Sequence, residues 1–351
     1  MVKWKNKNKF AFSFIILLLL LMGMVGVFLL NLTLGSVEIP LSDIVSILLG
    51  KELEKNTWTT IILNFRLPKA LTATLAGSAL AVSGLQMQTL FSNPLAGPFV
   101  LGINSGASLG VALAVLTTGA IGTSTLLGGL GIWENIGSVL AASLGAAVVL
   151  GLVLLVSRYV SNSTTLLIVG LMFGYGTSSI VSILLYFSVA ERIQSYIIWT
   201  FGSFSGVTSS QLPILATVVI LGLAIASTMT KSLNALLLGE IYAKSLGIKI
   251  QQSRLWIIAS ASILAGGVTA FCGPISFLGV AVPHLARSLL KTSNHRQLIP
   301  VVAMLGAILA LFANLVAQLP GSQLVLPLNS VTALLGTPIV TWVILRRRFL
   351  G

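Results

Sequence analysis

The chain has 351 residues, of which 56% are hydrophobic and 8% are charged, and its mean hydropathy is +1.03. Soluble domains carry about a quarter charged residues, so this composition excludes an ordinary soluble domain and indicates an integral membrane protein. The net charge of +13 does not indicate nucleic-acid binding, because basic residues that flank apolar spans follow the positive-inside rule. The single cysteine, Cys272, excludes an intramolecular disulfide and a CxxC pair.

Long apolar runs predict an all-α membrane protein with about ten transmembrane helices, forming a single domain over residues 1–351. The runs fall at 10–34, 67–90, 99–118, 136–157, 164–187, 211–230, 255–272, 276–290, 298–318 and 329–345. Four lysines precede the first run, and no cleavage site of the A-x-A type follows it, which predicts an uncleaved span. The short run at 276–290 contains Pro283, and a break there requires surrounding protein.

The charges predict that both termini lie inside. With that orientation, fifteen of the twenty basic residues but one of the seven acidic residues fall in cytoplasmic loops, as the positive-inside rule requires. The predicted spans contain no Asp or Glu, which disfavours an ion-coupled secondary transporter. The sequence also lacks a GxxxxGK[ST] phosphate loop, so ATP-driven transport needs a separate ATPase. We predict no catalytic residue, metal site or cofactor.

Residues 231–254 form a long polar interruption and are predicted to be a cytoplasmic segment with a surface helix. Its apolar face has helical spacing and consists of Leu238, Ile241, Tyr242 and Leu246. The opposite face carries Gly239, Glu240 and Lys244. Gly247 is predicted to end the helix in the left-handed conformation. About twelve residues reach roughly 18 Å, too short for a hydrocarbon core of about 30 Å, so this face packs on the protein itself or binds a partner.

Two similar turns suggest an internal repeat. Gly97-Pro98 follows the second span and Gly273-Pro274 follows the seventh. On the predicted topology they lie on opposite membrane faces, as an inverted repeat of two five-helix halves would require. A further pattern, glycines four residues apart at Gly102, Gly106 and Gly110, indicates close helix packing.

Three groups of motifs together resemble the FecCD-type permeases, the membrane subunits of ABC importers for iron-siderophores, haem and cobalamin. The first group is RLPK at 66–69, AGSALAVSG at 76–84, NPLA at 93–96 and LGINSGA at 101–107. The second is LGE at 238–240 with Ala243, Leu246-Gly247 and Arg254. The third is GPISFLG at 273–279, VPHLAR at 282–287 and LGTP at 335–338. The resemblance covers nearly the whole chain, and the ordered set is far more specific than any single motif.

The resemblance implies a ten-helix permease that pairs with a second copy or a paralogue. It also implies two cytoplasmic ATPase subunits and an external substrate-binding protein as partners. The ATPase-coupling residues would be Leu238, Gly239, Glu240, Ile241, Tyr242, Leu246 and Gly247.

Other residues are assigned by resemblance to the cobalamin permease and the family's inner gate. Arg66 and Lys69 stand where the cobalamin permease has arginines that meet acidic residues of its binding protein, although interface anchoring explains Lys69 equally well. Gln318 replaces another arginine of that permease, which puts the full docking set in doubt. Ser163 and Thr164 resemble the polar constriction at the inner gate, and the alternative is that they cap a helix.

The sequence therefore predicts the permease subunit of an ABC importer, multi-pass in a bacterial plasma (inner) membrane and in contact with lipid but not nucleic acid. We expect a ferric siderophore as substrate and alternating access as mechanism, with haem and cobalamin left open. Two alternatives remain: an ion-coupled secondary transporter, which would need an ion gradient in place of ATP, and a non-transport scaffold, which would purify without ATPase subunits.

Overall fold

The structure is a computed structural model that describes residues 2–51, 56–117, 133–160, 163–319, 321 and 324–348. The helices of the first half are α1 (Val2–Thr33), α2 (Leu41–Leu48), α3 (Asn56–Thr60), α4 (Leu67–Leu90), α5 (Ile103–Thr117), α6 (Trp133–Tyr159), α7 (Ser163–Tyr186) and α8 (Ala190–Thr200). Those of the second half are α9 (Leu212–Thr228), α10 (Thr230–Leu236), α11 (Glu240–Ser245), α12 (Ile250–Cys272), α13 (Leu278–Leu290), α14 (His295–Gln318) and α15 (Leu328–Arg348). A π-helical segment, Ile61–Arg66, joins α3 to α4, and a 3₁₀ turn, Pro98–Leu101, precedes α5.

Each of the ten predicted spans has a helical counterpart. Within the described ranges, six helices are long and apolar enough to cross a membrane: Ile15–Thr33, Thr57–Leu90, Gly137–Tyr159, Ser163–Tyr186, Ile250–Cys272 and His295–Gln318. Helices α9 and α10 form a further candidate span with a bend of 55° between them. The short helices α5 and α13, together with α15, match the remaining predicted runs. The predicted all-helical, multi-pass architecture is confirmed.

Helix α4 lies at the centre of the bundle and packs against α9, α12, α13 and α14. Glycines make these approaches possible, because a Cβ added at Gly77 would collide with the carbonyl oxygen of Gly306 on α14. A Cβ at Gly84 would likewise collide with the carbonyl of Gly279 on α13. Most residues of α4 are consequently buried, and it anchors the helices around it.

The glycines spaced four residues apart at the start of α5 allow close helix packing, as their spacing predicts. Cβ atoms at Gly106 and Gly110 would collide with the backbone of α6, at Gly145 and Ala141 respectively. Gly102, with a φ of +75°, faces the carbonyl of Gly170 on α7. These close contacts hold α5, α6 and α7 together as a second packed group.

The two Gly-Pro turns occupy equivalent places in the order of elements. The long helix α4 leads through the turn at Pro98 into the short helix α5, and the long helix α12 leads through Gly273 into the short helix α13. Pro283 lies inside α13 and is buried. Its helix is thus enclosed by protein, as an interrupted span at membrane depth requires.

The structure also contains helices that apolar runs did not predict. The second span was expected to begin at residue 67, but helical structure begins at Asn56 and continues through the π-helical segment into α4. Helices α2 and α8, on the segments following α1 and α7, were not predicted. Both are short, and α8 mixes polar and apolar residues, so neither carries a long apolar run.

Candidate coupling and gate site

The segment 231–254, predicted to be cytoplasmic, contains two short helices where one was expected. Helix α10 ends at Leu236, α11 begins at Glu240, and the break between them includes Gly239 with a φ of +94°. A positive φ is favourable for glycine and interrupts the helix. Gly247 also has a positive φ, +81°, and follows the end of α11, so the predicted stop at this residue agrees with the structure.

The four residues of the predicted apolar face point outward. Ile241 is 91% exposed, and Leu238, Tyr242 and Leu246 are each more than half exposed. Ala243 is the buried residue of α11 and faces the bundle. We call the four outward residues the cytoplasmic apolar patch. The protein's own described helices do not cover this patch. Packing of the apolar face on the protein itself, the first of the two alternatives, is therefore excluded.

Glu240, predicted on the wet face, has a side chain that is 38% exposed, and it also pairs with a buried arginine. Its Oε1 accepts a hydrogen bond from Arg254 Nη2 at 2.8 Å, in an ion pair with a side chain that is 2% exposed. The break at Gly239 resets the helical phase, so the spacing across 238–246 does not describe one helix. Glu240 thus joins α11 to the first turns of α12.

The same ion pair reaches the predicted inner-gate position. Ser163 Oγ donates to Glu240 Oε1 at 2.6 Å, and Arg254 Nη2 lies 3.4 Å from Ser163 Oγ. Arg254 Nη1 donates to the carbonyl of Val160 at 2.8 Å, just before the turn into α7. We call Arg254, Glu240, Ser163 and the Val160 carbonyl the Arg254 cluster. It brings together a predicted coupling residue and a predicted gate residue, which the sequence did not connect.

Thr164, the other predicted gate residue, is exposed and occupies the second position of α7. Its role at a gate stays a prediction, as does that of Ser163. The hydrogen bond from Ser163 to a carboxylate on another helix shows that this hydroxyl connects two segments, beyond any local capping of α7.

Arg66 of the predicted docking pair is buried against the end of α1. Its Nη1 donates to the carbonyls of Leu32 at 2.6 Å and Thr33 at 3.0 Å, and its Nη2 donates to the carbonyl of Val37. These bonds satisfy carbonyl groups at a helix C-terminus, where intrahelical partners are missing. Lys69 lies one turn further along and is half-buried. Arg66 therefore has a structural role, and docking by either residue stays a prediction.

A second polar cluster, absent from the sequence predictions, joins α10 to the bundle. Asn234 Oδ1 accepts hydrogen bonds from the backbone N–H of His295, at 2.8 Å, and from its ring Nδ1, at 2.9 Å. The Nε2 of His295 lies 2.8 Å from Thr89 Oγ1 at the end of α4. Nearby, Arg287 Nη1 donates to Gln88 Oε1. The side-chain partners of His295 lie 61 and 206 residues away along the chain. This connection between α4, α10 and α14 therefore becomes visible only in the fold.

Among the residues that the structure describes, no group of three or more His, Cys, Asp or Glu could hold a metal ion. The arrangement consists instead of packed helices, an outward apolar patch and polar clusters that join cytoplasmic helix ends. These features and the apolar spans define a polytopic helical membrane protein. The chain belongs to the FecCD transport family, which matches residues 18–346, and it is a multi-pass protein of the inner membrane.

Its similarity to individual proteins extends over most of the chain. It is 34% identical to the vitamin B12 import system permease protein BtuC of Klebsiella pneumoniae, over 83% of this chain and 84% of the relative. It is also 34% identical to the BtuC of Escherichia coli O9:H4, over 81% and 83% of the two chains. A solved structure described as an inward-facing conformation of a metal-chelate type ABC transporter superposes with a TM-score of 0.81 at 28% identity, covering 94% of this chain and 99% of that one.

Proposed function

We propose that the chain is the permease subunit of a binding-protein-dependent ABC importer. It would form the membrane pathway with a second copy or a paralogue, while two separate cytoplasmic ATPase subunits supply the energy. An external binding protein would deliver the substrate. Membership of the FecCD family and similarity to import permeases support this assignment. The chain itself would perform no chemistry.

The single observation that carries the proposal is the cytoplasmic apolar patch. Ile241 is 91% exposed on a helix of six residues that is too short to cross the bilayer and lies in a segment with several lysines. Exposed apolar groups clustered on a surface helix mark a protein interaction site, and a short amphipathic helix docks into a groove through such groups. An ATPase subunit is the partner that an importer of this family needs on its cytoplasmic side.

For the substrate, we propose a large metal chelate and place cobalamin ahead of the ferric siderophore that the sequence suggested. The relatives at 34% identity are vitamin B12 import permeases, and the solved structure is described as a metal-chelate type transporter. Siderophore import is the second candidate, because both cargoes are bulky chelates that a pathway of small and apolar residues could pass.

We also retain two residue-level proposals. Arg66 and Lys69 would lie near the surface that receives the binding protein, with Lys69 making the contact because Arg66 is occupied by α1 carbonyls. Ser163 and Thr164 would form the cytoplasmic constriction where two copies meet. The Arg254 cluster supports the second proposal, since it connects Ser163 to the coupling helix.

The test is uptake into proteoliposomes that contain the chain together with the ATPase and binding protein encoded beside it. We expect cyanocobalamin uptake that requires ATP and continues when ionophores collapse ion gradients. Uptake without ATP that ionophores abolish would indicate a secondary transporter. Failure of the chain to assemble with the ATPase would indicate a scaffold. Uptake of a ferric siderophore but not of cyanocobalamin would restore the earlier substrate expectation.

A further inference from the structure

We infer that Arg254 is a positioning residue that fastens the coupling helix α11 to the start of α7, so that both move as one body. This inference rests on the proposed function, because the motion in question is the one that ATP would drive. It concerns how force reaches the inner end of α7 after an ATPase has bound the cytoplasmic apolar patch.

The connectivity of the segments makes such a fastening necessary. The backbone of α11 packs on α10 and α12, and 77 residues separate Ser163 from Glu240 along the chain. The link between α11 and the first residue of α7 is made by side chains: the Glu240 carboxylate accepts from both Ser163 and Arg254. Without these bonds, α11 could shift while the α6–α7 turn stayed in place.

Arginine suits this role because its guanidinium is a planar fork whose nitrogens point in fixed directions. One arm, Nη1, holds the Val160 carbonyl, and the other, Nη2, holds Glu240 and approaches Ser163. The Arg254 side chain is 2% exposed, whereas that of Glu240 is 38% exposed. Separating Arg254 from the carboxylate would leave a buried charge uncompensated, and charge-assisted hydrogen bonds are stronger than neutral ones. The cluster therefore resists shear between α11, the end of α6, the start of α7 and α12.

Arg254→Lys is the first test variant. It keeps the positive charge beside Glu240 but cannot hold the Val160 carbonyl and the carboxylate with the same fixed geometry. Ser163→Ala removes a single hydroxyl and leaves the ion pair between Arg254 and Glu240 in place, so it tests the idea even where Arg254→Lys lowers expression. Ser163→Thr keeps a hydroxyl and is the conservative control. Gln252→Ala is the matched control, because it changes an exposed residue in the turn of α12 that contains Arg254.

In the reconstituted transporter, ATP hydrolysis and cyanocobalamin uptake are measured together. We expect Arg254→Lys and Ser163→Ala to lower the uptake per ATP hydrolysed at least tenfold while hydrolysis stays within twofold of wild type. Ser163→Thr and Gln252→Ala should keep wild-type coupling. Equal losses of hydrolysis and uptake, or unchanged coupling in both test variants, would overturn the inference. Absence of ATP-dependent uptake by the wild type would instead refute the proposed function.

A distance measurement tests the motion itself. Spin labels are placed at Thr165→Cys and Lys244→Cys, two exposed positions on α7 and α11, in a Cys272→Ser background. In the wild-type cluster, the distance distribution between the labels should remain narrow and unchanged when ATP binds. In Ser163→Ala it should broaden or shift with ATP. A wild-type distance that itself changes with ATP would show that α11 and α7 move separately and would refute the fastening.

Discussion

Asn314 on α14 and Asn31 on α1 form a buried amide pair, in which Asn314 Nδ2 donates to Asn31 Oδ1 at 2.7 Å. Asn31 Nδ2 in turn donates to the carbonyl of Val27 at 2.9 Å and to that of Leu311 at 3.2 Å. The pair fixes the position of α1, which has many exposed apolar side chains over Ile15–Thr33. It lies close to the α1 carbonyls that Arg66 binds, so the end of α1 is held from two sides.

Asn314→Leu should lower the free energy of unfolding by about 1 kcal/mol, because it leaves the Asn31 Oδ1 without its donor, and hydrogen bonds between membrane helices are worth about that much. Thermal unfolding of the purified protein in detergent measures the change. The double variant Asn31→Leu/Asn314→Leu should recover part of the loss, because replacing both partners leaves no orphaned polar group. Additive losses in the double variant would contradict this account of the pair.

Gly77→Ala should destabilise the protein by about 1–3 kcal/mol, because overpacking a close contact forces the backbones apart. The added methyl group would meet the Gly306 carbonyl of α14. Gly26→Ala on α1 is the matched control, since a Cβ there meets nothing within 4 Å. Thermal unfolding in detergent should separate the two variants clearly. Equal melting temperatures would show that the approach of α4 and α14 can relax without cost.

Helices at the ten predicted runs could be placed from the sequence because long apolar runs are local signals. The Arg254 cluster could not, since it depends on Val160, Ser163, Glu240 and Arg254 meeting from three parts of the chain. The pairing of Glu240 was also missed because helical periodicity was continued across Gly239, whose positive φ divides the segment. Likewise, no local sequence pattern shows that the guanidinium of Arg66 donates its hydrogen bonds to carbonyls of α1. Motif resemblance selected segments on both sides of the Arg254 cluster, and the fold supplied the contacts between them.

Leu246→Asp should weaken ATPase binding without unfolding the bundle. Leu246 is 57% exposed, so a carboxylate there is solvated in the free chain but would be buried against a partner, where an unpaired charge is costly. Co-purification with the ATPase should fall at least tenfold, while the melting temperature of the isolated chain stays within a few degrees of wild type. Ser245→Asp adds the same charge at the neighbouring exposed position. If both variants bind alike, the interaction follows charge and does not depend on the apolar patch.

Lys69→Glu should slow capture of the loaded binding protein, and the effect should be largest at low salt, because charges at an interface rim act mainly on the rate of encounter. Stopped-flow association with the reconstituted permease measures this rate. Lys51→Glu makes the same charge change at a different residue on the predicted outer side, an exposed one, and serves as the control. Identical rates for the two variants would restrict Lys69 to anchoring the span end. Arg66 is unsuitable for this test, since its replacement would also release the end of α1.

Cysteine cross-linking tests whether the start of α7 closes the pathway between two copies. Thr164 is exposed next to Ser163, whose hydroxyl is turned toward Glu240, so in a gate Thr164 is the residue better placed to face the second copy. In a Cys272→Ser background, Thr164→Cys should form an intermolecular disulfide on mild oxidation, because such a bond needs Cα atoms within about 7 Å. The cross-link should block uptake, and its yield should change with ATP, because the constriction must open and close with the ATPases.

Thr165→Cys is the control, because Thr165 is also exposed but is the next residue along α7 and so points in a different direction. It should cross-link much less than Thr164→Cys. Equal cross-linking at the two positions, or none at Thr164 with free labelling by a cytoplasmic thiol reagent in every nucleotide state, would place the constriction elsewhere and leave Thr164 as part of an ordinary helix start.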